Sequence, residues 1–170
     1  MLAEGIFIYL AAAIIVLSIL VITRSNPVHS VLTMLLLFFH IAGLYVTLNA
    51  EFLAAVQVIV YAGAILVLFL FVILLLNLKE EMLARRYVGP WPLGLIAAMG
   101  LLLVIVLSLR SFTPGPSGVF VTEVIRAETN TKALGKILFT EYLYPFEVVS
   151  VVLLVAIIGA IVLAKKGLRS

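Results

Sequence analysis

Long apolar runs separated by short polar breaks organise this chain. Ile6 to Thr23 is apolar and stops at Arg24-Ser25-Asn26-Pro27. Val28 to Leu48 is apolar apart from His29, His40 and a few hydroxyls. Asn49-Ala50-Glu51 is the only break before a third run, which ends at Asn77. The charged stretch Lys79 to Arg86 follows, then a fourth run that opens at Pro90-Trp91-Pro92 and closes at Arg110. A long polar segment leads to the last run, closed by Lys165-Lys166. Each run has about the 20 residues a helix needs to cross ~30 Å of hydrocarbon. The pattern predicts spans at about 5–23, 28–48, 52–77, 90–110 and 145–165, with a loop over 111–144. The runs are too long and too uniformly apolar for barrel strands. The expected fold is an all-α integral membrane protein, one membrane domain over residues 1–170 with five transmembrane helices.

Composition agrees and narrows the chemistry. Of 170 residues, 65% are hydrophobic and 11% charged, against roughly 45–50% and about 25% in a soluble domain. That excludes a soluble globular domain, a disordered segment and a solenoid. There are no cysteines, so disulfides, iron–sulfur ligation and thiolate zinc are excluded. The only histidines are His29 and His40. Redox chemistry near this chain is expected on another chain.

The positions of Lys and Arg predict orientation. One set of loops carries Arg24, Lys79, Arg85, Arg86, Lys165, Lys166 and Arg169. The other carries Arg110, Arg126, Lys132 and Lys136, diluted by Glu123, Glu128 and Glu141. The N-terminus is therefore expected outside and the C-terminus in the cytoplasm. Met1-Leu2-Ala3-Glu4 has no basic start, so no cleaved signal peptide is expected. In the outer loop, Thr113 to Gly118 is a turn cluster. Thr129-Asn130-Thr131 offers N-caps for a short helix through Phe139. Ala133, Leu134, Ile137 and Leu138 share one side of that helix and Lys132 and Lys136 lie towards another. This predicts an interfacial amphipathic helix, or a plain tether between two spans. No internal repeat is visible, and an odd number of spans argues against two equal inverted halves.

The third run carries most of the information. Glu51 and Gln57 are polar, and Tyr61-Ala62-Gly63-Ala64 falls near its centre. As a straight helix from Glu51 to Asn77 it would be ~40 Å long at 1.5 Å per residue, longer than the hydrocarbon core. It must tilt, protrude or distort. A phenol at the midplane needs a hydrogen-bond partner, and glycine there permits a local change of winding such as a π-bulge. These features suit a gate or an ion path. Close helix packing through Ala62, Gly63 and Ala64 explains the small residues equally.

The run EFLAAVQVIVYAGAILVLFLFVILLLN, Glu51 to Asn77, resembles the third helix of the subunit J family of proton-pumping NADH–quinone oxidoreductase. This enzyme is respiratory complex I; the mitochondrial counterpart of the family is NADH dehydrogenase subunit six. Tyr142-Leu143-Tyr144-Pro145-Phe146-Glu147, followed by VVSVVLLVAIIGAIVLA, resembles the family's last helix, and Arg24-Ser25-Asn26-Pro27 its first loop. About Ala84 to Asn130 carries little that matches. The resemblance implies a multi-pass subunit of the bacterial cytoplasmic (inner) membrane. Its partners would be the quinone-binding subunit, the small E-channel subunits and the antiporter-like subunits. It also implies that this chain binds no cofactor and has no active site of its own. FMN, iron–sulfur clusters, NADH and a quinone would be used on other subunits. In the family the third helix switches between α-helical and π-bulged forms, a gate on a water path between quinone chemistry and proton translocation. Carried over, the bulge would span Tyr61 to Ile65, so Gln57, Tyr61, Gly63, Ala64 and Ile65 are the candidate gating residues.

Three other polar residues are candidate contacts. His40 lies mid-span; it is either a proton relay or a neutral ring bonded to backbone or to a neighbouring subunit. Glu51 at a helix start is explained by the helix dipole, or by a water path at the outer side. Glu147, two residues after Pro145, is expected in the first turn of the last span, where it either caps the helix or, from its place in the Pro-Phe-Glu motif, bonds to an adjacent subunit. Tyr9, Tyr45, Tyr87 and Trp91 read as interface anchors or packing residues. No acid or lysine falls at a midplane, so proton carriers are expected on partner chains. Two rival readings stand beside this one: a purely structural scaffold, and a small independent transporter or channel.

Overall fold

The computed structural model describes residues 2–76, 91–113 and 129–165, and every regular element among them is helical. The chain divides into two compact units, Met1–Gly118 and Val119–Ser170. Among the described residues five helices are long and apolar enough to span a bilayer, as the run lengths predict. The loop expected over Lys79 to Arg86, most of the Thr113 to Gly118 turn cluster, Arg126, Lys166 and Arg169 lie outside the described residues.

In the first unit α1 (Leu2–Thr23) and α2 (Pro27–Thr47) pack closely as an antiparallel pair. The turn between them is built by its own sequence. Asn26 is the N-cap of α2 and its Oδ1 accepts from the Val28 N–H at 2.9 Å. Pro27 follows at the start of the helix, where its missing N–H costs nothing. The Ser30 hydroxyl donates back to the Val21 carbonyl at 2.5 Å, tying the two helices across the turn. A close approach lies further along: a Cβ added at Gly43 would meet Leu10 Cδ2 at 3.4 Å.

Helix α2 ends in a Schellman motif. Asn49 takes φ 57°, its N–H donates to the Val46 carbonyl, and the Ala50 N–H donates to the Tyr45 carbonyl at 2.9 Å. Asn tolerates this left-handed conformation better than other non-glycine residues. The third span then begins at once, with α3 (Glu51–Val56), a π-helix (Gln57–Ile65) and α4 (Leu66–Leu75) in unbroken succession, all packed against α2. The fourth span, α5 (Trp91–Ser111), buries none of its residues.

The second unit holds α6 (Asn130–Leu138) and α7 (Leu143–Ala164). On α6, Ala133 is buried and Leu134 and Ile137 are half-buried, while Lys132 and Lys136 are exposed; Leu138, expected on the apolar side, is exposed as well. The expected cap is corrected in detail. Thr129 occupies the N-cap position, but its φ of 71° points the chain differently and its side chain makes no cap bond. The α6–α7 corner is closed by backbone bonds from Glu141 and Tyr142 to the Ile137 carbonyl, and by Phe139 packed edge-on against Phe146 at 5.0 Å. Helix α7 begins at Leu143, two residues before Pro145, and buries none of its residues.

Candidate functional site

The third span breaks α-helical winding for nine residues, Gln57–Ile65. The bond that closes the segment runs from the Leu66 N–H to the Tyr61 carbonyl, five residues back rather than four. The expected boundary, Tyr61 to Ile65, is thus too short at its N-terminal end by four residues. A π turn leaves no residue-type signature at its start, and Gln57 and Val58 would suit an α-helix as well.

The consequence is visible in burial. The buried residues of this span are Ala54, Gln57, Ala62 and Leu66. The steps between them are three, five and four. An α-helix keeps one face by steps of three and four, so the step of five between Gln57 and Ala62 marks where an extra residue enters. The same side of the span stays turned towards α2, and the sequence register of that side shifts by one residue across the step. Without the extra residue, Tyr61 and Ile65 would take the places held by Ala62 and Leu66.

Gly63 is fitted to this winding. A Cβ there would lie 3.3 Å from the Val58 carbonyl oxygen, tighter than an ordinary contact. In an α-helix the carbonyl five residues back is not directed at that position, so the crowding belongs to the π form. Among the described residues Gln57 is the one buried polar residue, 7% exposed. Tyr61 stays 46% exposed, and its ring packs edge-on against Phe38 of α2 at 5.9 Å. Its hydroxyl makes no hydrogen bond among the described residues. Ala64 and Ile65 are exposed. The structure therefore brings Gln57, Tyr61, Gly63, Ala64 and Ile65 into one π segment, with only Gln57 of the five turned inward.

The other polar candidates lie outside this segment in the sequence. His40 Nδ1 is 2.8 Å from the Leu36 carbonyl and Nε2 is 3.4 Å from the Tyr9 hydroxyl. A carbonyl only accepts, so Nδ1 carries the hydrogen; in the neutral ring Nε2 then accepts from Tyr9. The sequence marks Tyr9 as an interface anchor or packing residue; its pairing with His40 follows from helix arithmetic. Tyr9 lies fourteen residues before Thr23 and His40 thirteen after Pro27, which places them level in an antiparallel pair. The same count finds Phe38 and Tyr61, nine before Thr47 and ten after Glu51. Glu51 is exposed in the first turn of α3, a position where a carboxylate meets the positive end of the helix dipole. Glu147 is corrected. Because α7 starts at Leu143, Glu147 is its fifth residue and outside the first turn, so it does not cap the helix. Pro145 misled the count, since proline fits any position of a first turn.

Comparison with known proteins bears on the whole chain. The model of the family described as NADH-ubiquinone/plastoquinone oxidoreductase chain 6 matches residues 17–163. NADH-quinone oxidoreductase subunit J of Rhodobacter capsulatus is 38% identical over 159 residues, covering 92% of this chain and 79% of its own. NAD(P)H-quinone oxidoreductase chain 6 of a Synechocystis species is 38% identical over 177 residues, covering 98% and 85%. NADH-ubiquinone oxidoreductase chain 6 of Marchantia polymorpha is 39% identical over 168 residues, covering 93% and 83%.

Proposed function

The chain belongs to the NADH-ubiquinone/plastoquinone oxidoreductase chain 6 family, and on that premise we propose that it is a membrane-arm subunit that helps couple quinone reduction to proton translocation. Its π segment acts as the movable part. In the π form, Ala62 and Leu66 face inward and Tyr61 is displaced outward. Reversion to α winding would turn the rest of the helix by about one residue, ~100°, and bring Tyr61 and Ile65 into the places of Ala62 and Leu66. Moving a phenol onto a path and an aliphatic side chain off it changes whether water fills that path. The observation that carries this reading is the five-residue step from Gln57 to Ala62.

The finer assignments follow from the same reading. The N-terminus lies outside and the C-terminus in the cytoplasm of a bacterial cell, and α6 lies at the outer membrane surface. The quinone-binding, small E-channel and antiporter-like subunits are its neighbours. Flavin, iron–sulfur clusters, NADH and quinone are handled on other chains, and this one has no catalytic centre. The scaffold reading has one observation in its favour: α5 and α7 bury nothing, leaving apolar faces for lipid or neighbouring helices.

Gly63→Leu in the assembled complex separates the two. The gate predicts normal assembly with proton pumping lost or uncoupled from NADH oxidation. Normal pumping by the assembled variant overturns it and leaves the scaffold.

A further inference from the structure

At the α1–α2 turn a cavity of about 260 Å³ is lined by Arg24, His29, Leu32, Thr33 and Leu36. Its chemistry is divided. Arg24 and His29 stand at the end next to the turn, and none of the described lining residues is acidic. Arg24 makes no ion pair among the described residues. His29, Leu32, Thr33 and Leu36 follow at helical spacing on one face of α2, and Leu32 and Leu36 are 48% and 54% exposed. So a guanidinium sits where a spanning helix begins, and an apolar wall runs from it into the span. Arginine is suited to phosphate, because its planar fork gives paired donors. Basic pockets at the ends of spanning helices accept lipid headgroups by this logic.

We propose that this cavity is a binding site for an anionic phospholipid. Arg24 holds the phosphate, His29 contributes a ring N–H donor, and an acyl chain lies along Leu32 and Leu36. The apolar wall is what selects a lipid over a free anion, since inorganic phosphate would leave Leu32 and Leu36 uncovered. The described lining offers a guanidinium and an imidazole and no carboxylate, which favours a net negative headgroup over a zwitterionic one.

The test is native mass spectrometry of the intact complex that contains the full chain, titrated with phosphatidylglycerol or phosphatidylcholine. The wild type should take up phosphatidylglycerol in preference. Arg24→Gln should weaken phosphatidylglycerol uptake about fivefold, from ~1 kcal/mol per basic residue at a membrane surface, and leave phosphatidylcholine uptake unchanged. Arg24→Lys should restore most of the loss. Leu36→Asn, which retains the cation, should weaken both lipids. Arg110→Gln, at the end of α5, should change neither. Equal uptake of both lipids by the wild type would overturn the proposal. So would unchanged uptake by Arg24→Gln, including the case in which a neighbouring subunit covers the cavity. Displacement of the lipid by inorganic phosphate, with Leu36→Asn without effect, would assign the site to a free anion and overturn it as well.

Discussion

Gly63 faces the carbonyl oxygen of Val58, five residues back, so closely that a Cβ on Gly63 would stand 3.3 Å from it. A methyl group there asks the π turn to open by a few tenths of an ångström. In α winding that carbonyl is directed elsewhere and the crowding is absent. Gly63→Ala should therefore shift the segment towards α winding, about fivefold for a strain of ~1 kcal/mol. Proton pumping per NADH oxidised, measured in sealed vesicles, should fall partway, and Gly63→Leu should take it further. Equal coupling in wild type and both variants would show that the winding of this segment does not matter for transport.

The Phe38–Tyr61 pair allows ring and hydroxyl to be tested separately. Tyr61→Phe keeps the edge-on contact and removes only the phenol. It should assemble and resist heat like the wild type, while pumping less if that hydroxyl contacts water. Phe38→Ala should lower the heat resistance of the complex. The double variant Phe38→Ala/Tyr61→Ala should lose less than the sum of its singles, by about 0.5–1.5 kcal/mol for an aromatic pair. Strict additivity would mean that the rings do not support one another.

Much of this architecture is legible in the sequence for plain physical reasons. A span must be long and apolar, so the five helices are marked by length alone. Their ends are less legible. Helix α1 extends back to Leu2 because Leu2 and Ala3 suit a helix, although the polar Glu4 suggested a later start. Helix α7 begins ahead of Pro145 because a proline fits anywhere in a first turn. The π segment is legible through Gly63 and Tyr61, yet its start at Gln57 is not, because a change in hydrogen-bond register needs no particular residue. Which faces of α5 and α7 meet a neighbour is written nowhere in their composition, since they are apolar all round.

Tyr9 and His40 offer a test of a bland histidine. The Leu36 carbonyl sets the tautomer, and the Tyr9 contact is long at 3.4 Å. Tyr9→Phe should therefore change heat resistance by less than about 1 kcal/mol and leave pumping intact. Nitrogen NMR on labelled histidine should find the hydrogen on Nδ1 of His40. A large pumping defect in Tyr9→Phe would instead make the pair part of a proton route.

Asn49 holds the turn between α2 and the third span in a left-handed conformation. Asn49→Gly should be neutral or mildly stabilising. Asn49→Val should cost about 1–2 kcal/mol, read as a lower temperature of complex disassembly. If both variants behave alike, the turn is held by its neighbours and not by its own backbone preference.

The step of five from Gln57 to Ala62 also has a genetic meaning. A π turn inside an α-helix is equivalent to one inserted amino acid, absorbed without shifting the faces on either side. Removing one codon between Val58 and Tyr61 would cancel it. Ala54, Gln57, Ala62 and Leu66 would then fall at steps of three, four and four, on one continuous α face. Such a single-residue deletion would leave both ends of the span seated against α2 and take away only the spare residue. In most transmembrane helices a deletion rotates half the helix out of place; here the span has a vacancy in its reading frame at which it can be shortened by one and still fit.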